Sequence, residues 1–193
     1  EPDVYEDNRG FFLESFNKLR YQKHGLNFDF VQDNIFKSVK NTIRGLHYQV
    51  GEMAQGKLCQ VLNGKVLDVA VDIRFGSPTF GEHFTHTLDS SKPAQIWIPP
   101  GLAHGFSVLS DEALFAYKCT GYYSKKHERT ILYNDVDLNI NWQVKNPIVS
   151  EKDLNALKFY LHTGVILISS SFYIRFSLTL KLKIWFSYES SST

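Results

Sequence analysis

The chain of 193 residues holds only two cysteines, Cys59 and Cys119, and no Cys-x-x-Cys spacing. A disulfide framework and a Cys-x-x-Cys metal site are therefore excluded. Both cysteines fall in apolar, strand-like segments, which is typical of small buried side chains in a reducing compartment. No signal-peptide pattern follows Glu1, so a cytoplasmic location is expected.

The chain also lacks an excess of either charge. Its 21 basic and 20 acidic residues give a formal net charge of +1. Such a balance does not call for nucleic acid or an anionic membrane as a partner, and neither is expected. A small anionic ligand remains compatible with it, because a local cluster of Arg and Lys needs no global excess.

No apolar run is long enough to span a membrane. The best candidate, 164–174, is short, contains three serines and is followed by Arg175. Residues 176–186 alternate apolar and polar side chains, which predicts an amphipathic strand. We therefore expect one domain over 1–160 and an atypical apolar, Ser-rich tail over 161–193.

Aromatic residues, by contrast, are abundant at 15%, and the chain reads as short strands separated by Gly, Pro, Asn and Asp. This pattern predicts an all-β sandwich or barrel with a few short helices. Asn63-Gly64 has the sequence of a hairpin turn. Helices are predicted over 16–25 and over 150–159, the latter with Ser150 as its N-cap. The predicted strands are 10–16, 28–39, 58–62, 65–74, 82–88, 95–99, 105–110 and 113–123.

Two histidines raise the question of a metal site. Pro99, Gly101 and His104 match the P-x-G-x-x-H half of a cupin metal motif, whereas the H-x-H half is broken because Gln49 follows His47. A neutral amide is a poor ligand for a transition metal. The sequence therefore predicts no metal, and the plain alternative is two hydrogen-bonded histidines lining a barrel.

Polar groups cluster around the first histidine, since Arg44, His47, Gln49 and Lys57 lie within fourteen residues of apolar-leaning sequence. Charges in such strands are costly unless they serve a site. Strict alternation would place Arg44 and His47 on opposite faces. A bulge or turn at Gly45 is therefore predicted to bring them together.

Nine stretches of the chain form an ordered set of motifs: DNRGFFLESF (7–16), FVQDN (30–34), IRGLHYQ (43–49), AQGKL (54–58), GKVLDVAVDIRFGSPTFG (64–81), WIPPGLAHGFSVLS (97–110), YKCTGYY (117–123), INW (140–142) and SEKD (150–153). In this order they resemble one family, the dTDP-4-dehydrorhamnose 3,5-epimerases, which are cupin-fold enzymes. The resemblance implies a jelly-roll barrel that epimerises C3 and C5 of dTDP-4-dehydro-6-deoxy-glucose in dTDP-L-rhamnose synthesis. It implies no cofactor.

The resemblance also implies the catalytic residues. His47 matches the base and Asp153 the carboxylate that fixes its tautomer, although helix capping alone would explain Asp153. Lys57 matches the cation beside the C4 oxygen, and its plain alternative is a solvated strand lysine. Tyr117 matches the acid on the opposite face, where a core aromatic would be the commoner role. His104 matches a second histidine near the enolate oxygen.

The remaining positions match substrate contacts. Arg44 suits a pyrophosphate, and the ring of Tyr123 suits stacking on thymine. The family takes some nucleotide contacts from a neighbouring subunit, which implies a homodimer, and its usual first strand would precede Glu1. The other positions that match substrate contacts of the family are Arg9, Phe12, Glu14, Gln32 and Asn34.

Two other hypotheses for the function stay open: an epimerase acting at C3 or C5 only, and a non-catalytic cupin-like binding module.

Overall fold

The computed structural model describes residues 1–161, which form eleven strands, two short α-helices and one 3-10 turn at Gly51–Met53. The predicted all-β class is confirmed. Helix α1 is Lys18–Lys23 and helix α2 is Glu151–Leu154. The strands are β1 (Val4–Asp7), β2 (Gly10–Leu13), β3 (Gln32–Val39), β4 (Ile43–Gln49), β5 (Lys57–Asn63), β6 (Lys65–Asp72), β7 (His83–Asp89), β8 (Gln95–Ile98), β9 (Leu102–Val108), β10 (Glu112–Cys119) and β11 (Glu128–Thr130).

Two antiparallel sheets make the body of the fold. One has the order β3-β10-β5-β8 and the other the order β11-β4-β9-β6-β7, while β1 and β2 form a separate hairpin. One apolar cluster draws side chains from both sheets and therefore fills the space between them; it includes Val66, Phe106 and Phe115. This arrangement is the cupin-type jelly roll that the sequence predicted.

A second apolar cluster covers the other face of the five-stranded sheet. It joins Leu67, Val69 and Val71 of β6 to Trp142 and Phe159 from the chain that follows β11. Strand β6 is consequently buried on both faces. Burying a side chain of this size contributes about 1.5–3 kcal/mol, so β6 anchors the domain.

The predicted hairpin at Asn63-Gly64 is wrong. Strand β5 pairs with β10 and β8, whereas β6 pairs with β7 and β9 in the other sheet. The chain therefore crosses between sheets at Gly64. Its φ of +83° and the carbonyl of Glu112, which an added Cβ would approach to 2.2 Å, explain the glycine.

Helix α1 lies inside the predicted range and begins after an N-cap residue, Asn17. The Asn17 side chain accepts hydrogen bonds from the backbone N–H groups of Leu19 and Arg20. His24 is the C-cap, and Gly25 follows it with a φ of +85°. The predicted stop at Gly25 is confirmed.

Helix α2 has the predicted N-cap, because the Ser150 side chain accepts from the backbone N–H of Asp153. It is shorter than the predicted range of 150–159. Leu157 forms a parallel bridge with Ile131, and the backbone N–H of Phe159 donates to Asp135 at 2.8 Å. These bonds hold the chain against β11 and end the helix.

Within residues 1–161, no helix is long and apolar enough to cross a membrane. The predicted amphipathic strand at 176–186 lies outside the described residues.

Candidate active site

One cavity of about 410 Å³ opens between the two sheets and collects most of the predicted site residues. The five-stranded sheet contributes Arg44 and His47 from β4 and His104 from β9. The four-stranded sheet contributes the rest. Those residues are Gln32, Asn34, Lys57 and Tyr117, with Tyr123 following strand β10.

The first functional pair joins His47 to Asp153, which are 106 positions apart in the chain. The Nε2 of His47 lies 2.7 Å from Oδ1 of Asp153, and only 3% of the Asp153 side chain is exposed. Burial acts to raise the pKa of Asp153, but hydrogen bonds from His47, Gly45 and Ser150 outweigh it and leave that pKa lowered. An ionised Asp153 assigns the proton to Nε2 and the lone pair to Nδ1.

Gly45 lets Arg44 and His47 share one face, as predicted. Arg44 opposes Phe106, yet His47 opposes His104, so β4 carries one extra residue in a bulge. The φ of Gly45 is +125°, and an added Cβ would lie 2.5 Å from the Cα of Gly105. Both the conformation and the close contact therefore require glycine at this position.

The second pair joins His104 to Asp68, which the sequence placed on β6 without a role. Nε2 of His104 lies 2.9 Å from Oδ2 of Asp68, and both side chains are buried. Burial lowers the pKa of His104, so its imidazole is neutral at neutral pH. Each of the two cavity histidines thus has its own carboxylate.

Lys57 and Tyr117 face these histidines from the other sheet. The Nζ of Lys57 lies 5.6 Å from the centroid of the Tyr117 ring. Burial lowers the pKa of Lys57, with the negative groups around it opposing that shift. Burial also raises the pKa of Tyr117 well above its ordinary value, so the phenol keeps its proton at neutral pH.

The mouth of the cavity carries the polar groups. Arg44 donates from Nε to Ser38 at 3.0 Å and lies over the ring of Phe36, 4.9 Å from its centroid. Gln32 donates to Asn34 at 3.0 Å and accepts from the backbone N–H of Tyr123 at 2.9 Å. These bonds fix a guanidinium and an aromatic ring at one opening.

The Gln49 side chain, at the position where a metal-binding cupin would have a ligand, hydrogen-bonds to the backbone of two loops. Its amide nitrogen donates to the carbonyls of Met53 and Tyr122 at 2.9 and 3.1 Å. Its carbonyl oxygen accepts from the backbone N–H of Ser124. Both ends of the amide are therefore engaged by the protein backbone.

Three predicted substrate contacts lie away from this cavity in the single chain. Arg9 and Phe12 belong to the β1–β2 hairpin, where Arg9 pairs with Asp7 at 2.5 Å and Phe12 is 68% exposed. Glu14 lines a different cavity, beside Arg20. Their assignment as substrate contacts stays a prediction, which requires that they reach the cavity of a second subunit.

The sequence left three contributing residues without a role: Asp68, Phe36 and Glu128. The Tyr123 hydroxyl donates to Glu128 at 3.0 Å, and Glu128 also lines the cavity. The signal available for Asp68 was an acidic residue within a mostly apolar strand, a signal that Asp72 shares. Phe36 and Glu128 gave no such signal in the sequence. Their roles depend on contacts with Arg44 and Tyr123, which only the folded chain brings together.

The fold and the site together define a class of protein. A cupin barrel encloses a His–Asp pair, an opposing phenol and a partly buried lysine, a set of groups that can remove, return and stabilise a proton. This class is the isomerases of the cupin fold.

Comparison with known proteins gives the family. The profile of the dTDP-4-dehydrorhamnose 3,5-epimerase family matches residues 1–160. The dTDP-4-dehydrorhamnose 3,5-epimerase of Shigella flexneri is 53% identical over 160 residues, covering 82% of this chain and 88% of the relative. The chain therefore belongs to this family, and the predicted fold, enzyme class and family-level activity are confirmed.

Two further relatives bear on specificity. A crystal structure of dTDP-6-deoxy-D-glucose-3,5-epimerase from Legionella pneumophila, in complex with dTDP-4-keto-L-rhamnose, is 50% identical with a TM-score of 0.81. It covers 83% of this chain and 86% of its own. A dTDP-4-dehydro-6-deoxyglucose 3-epimerase from Streptomyces is 34% identical, covering 81% of both chains.

Proposed function

We propose that the cavity between the sheets epimerises both C3 and C5 of dTDP-4-dehydro-6-deoxy-glucose, giving dTDP-4-dehydro-L-rhamnose. The observation that carries this proposal is the placement of His47, paired with Asp153, on one sheet and of Tyr117 and Lys57 on the other. Epimerisation needs a base and an acid on opposite faces of the sugar ring. Opposite walls of one cavity supply them.

The chemistry begins at the C4 ketone, which acidifies the protons on both neighbouring carbons. Nδ1 of His47 removes the proton from C3 or C5, while Asp153 holds the imidazole in the required tautomer and balances the imidazolium that forms. The electron pair moves onto the C4 oxygen as an enolate. No oxidation or reduction takes place, so no redox cofactor is needed.

The enolate oxygen requires positive charge or hydrogen-bond donors in place before it forms. Lys57 supplies the charge. The neutral His104 is a second group near that oxygen, but its Nε2–H donates to Asp68, so stabilisation of the enolate rests on Lys57. Tyr117 then protonates the carbon from the opposite face, which inverts its configuration. The raised pKa of Tyr117 keeps the phenol protonated until that step.

The nucleotide occupies the mouth of the cavity in this proposal. Arg44 faces the pyrophosphate with its fork of donors, and the ring of Tyr123 stacks on thymine. Gln32 and Asn34 contact the remaining polar groups. The ligand in the Legionella pneumophila relative, a dTDP-sugar, supports this class of substrate.

Product identification tests the proposal. The EDTA-treated protein, incubated with dTDP-4-dehydro-6-deoxy-glucose, should yield dTDP-4-dehydro-L-rhamnose, identified by NMR coupling constants. A product inverted at C3 alone would favour the second candidate, which the Streptomyces 3-epimerase motivates. Loss of turnover on chelation and its recovery with added metal would contradict the metal-independent mechanism.

We also propose that the working unit is a homodimer in which the β1–β2 hairpin of one copy completes the cavity of the other. Tyr5, Phe11 and Phe12 on this hairpin are 61%, 62% and 68% exposed, an apolar surface that a partner would cover. Arg9 lies on the same hairpin. It is remote from the cavity of its own chain and would supply charge to the nucleotide of the partner.

Hybrid dimers test this arrangement. Arg9→Ala and His47→Ala chains, each deficient alone, are co-expressed with different tags. A hybrid dimer keeps one site with both residues intact, so a random mixture should recover about a quarter of wild-type turnover. A mixture no more active than its parents would contradict the shared site, and a mixture of Arg44→Ala with His47→Ala, which lie in one cavity, is the control.

We place the enzyme in the cytoplasm. Cys59 and Cys119 are both buried free thiols, as befits a reducing compartment.

A further inference from the structure

Three side chains of types that ligate metals lie together beside the reaction cavity, and the proposed mechanism gives one of them, Cys59, no role. The three residues are Cys59 on β5, Asp68 on β6 and His104 on β9, and each offers one donor atom. Their donor atoms all lie within 4.8 Å of one another. The sequence separates these residues and gave no sign of the cluster, since only His104 belongs to a recognisable motif.

The separations are close to those of a bound transition metal. Nε2 of His104 lies 2.9 Å from Oδ2 of Asp68 and 4.0 Å from Sγ of Cys59. Ligand atoms around a tetrahedral zinc ion stand about 3.4–3.6 Å apart, given its usual bond lengths. The His104–Asp68 separation is thus about half an ångström too short and the His104–Cys59 separation about half an ångström too long for a bound ion.

The chemistry of the donors also suits such an ion. Imidazole, thiolate and carboxylate are the ligand types that zinc takes in proteins. All three side chains are buried, with relative exposures of 0% for Cys59, 2% for Asp68 and 5% for His104. On binding, the Cys59 thiol would lose its proton to the buffer and the proton on Nε2 of His104 would move, through solvent, to Nδ1, which frees Nε2 and the thiolate for the ion. One thiolate and one carboxylate then neutralise a divalent cation, so the buried site carries no net charge.

We infer that Cys59, Asp68 and His104 form an inhibitory site for a divalent transition-metal cation, with zinc as its best-matched ligand. His104 lines the cavity, so the ion gains access from there and its fourth position stays open to water. Occupation ties the His104 imidazole to the ion and removes it from the enolate oxygen. It also neutralises Asp68, one of the negative groups that act on Lys57. This site differs from the cupin pattern, because it uses neither His47 nor Gln49.

Metal binding is measured first on the full chain, stripped with EDTA and freed of chelator, with no nucleotide present. Titration with zinc chloride in a calorimeter should show one tight site per chain. In Cys59→Ala, the affinity should fall by at least about 100-fold, since loss of even an outer-shell partner costs roughly 10–100-fold. Cys59→Val fills the same space and guards against a cavity effect. Cys119→Ala is the matched control and should bind as wild type.

Cobalt gives an independent readout. The wild-type protein loaded with Co²⁺ should show a thiolate-to-cobalt charge-transfer band in the near ultraviolet, and both Cys59 variants should lack it. Absence of the band in the wild type would overturn the site. So would zinc affinity that survives both Cys59 substitutions, because the ion would then lie elsewhere, for example on the exposed His83 and His86.

The inhibitory role alone rests on the proposed function. Turnover by the metal-free enzyme should fall in proportion to zinc occupancy in the wild type and in Cys119→Ala. Stoichiometric zinc without loss of turnover would overturn the inhibition. A metal-free enzyme that never turns over would instead contradict the proposed function and leave the binding result standing.

Discussion

Replacing His47 with alanine should reduce epimerisation by at least about 10²–10⁴-fold, the usual contribution of a general base. The substitution removes the imidazole of strand β4 that is paired with the buried carboxylate of Asp153 on helix α2 and lines the cavity opposite Tyr117. Affinity for dTDP should stay near the wild-type value, because Arg44 and Tyr123 at the mouth are untouched. Steady-state kinetics and calorimetric titration with dTDP measure the two effects separately.

A matched control comes from the exposed edge strand. His86→Ala on β7 removes an imidazole that is remote from the cavity, so its turnover should equal that of the wild type. Substantial turnover by the His47→Ala protein would contradict the assignment of the base. An equal loss of dTDP affinity and turnover would instead make His47 a binding residue.

Replacing Tyr117 with phenylalanine should separate proton removal from inversion. His47 can still take a proton from the substrate, but nothing on the opposite wall returns one, so the carbon is reprotonated from the side it left. Net epimerisation should fall by roughly 10²–10⁴-fold. In D2O, the recovered substrate should nevertheless gain deuterium with its configuration retained, as read by NMR.

The control for this substitution is Tyr122→Phe, since Tyr122 is 65% exposed beside the cavity mouth. It should invert its substrate normally. Undiminished product from Tyr117→Phe would show that another group is the acid. Loss of deuterium exchange as well as of inversion would mean that Tyr117 supports the removal step.

The sequence predicted most of the strands, missed β1 and β11, and assigned one connection wrongly. Asn63-Gly64 has the local chemistry of a hairpin turn, and a chain reversal at this place was a sound expectation. The sheet that each flanking strand joins is set by distant pairings, such as Cys59 with Tyr117 and Ala70 with His104. Local propensity carries no information about those partners.

In the site, too, local sequence patterns predicted the conformation of a single strand but not the contacts between distant strands. The bulge at Gly45 followed from alternation alone, because two polar residues three positions apart had to share a face. The pairing of His47 with Asp153 came from family resemblance, since 106 positions separate them and no periodicity links them. Asp68 was visible as an acid in an apolar strand. Its partner His104 emerged only when β6 and β9 proved to be neighbours.

The most direct test of the central claim is deuterium incorporation by the wild-type enzyme. It is incubated with dTDP-4-dehydro-6-deoxy-glucose in D2O, and the isolated product is examined by NMR and mass spectrometry. Proton transfer by one base and one acid at each carbon beside the ketone predicts deuterium at both C3 and C5. Deuterium at a single carbon would contradict the two-site epimerisation, and none at either would contradict catalysis through an enolate.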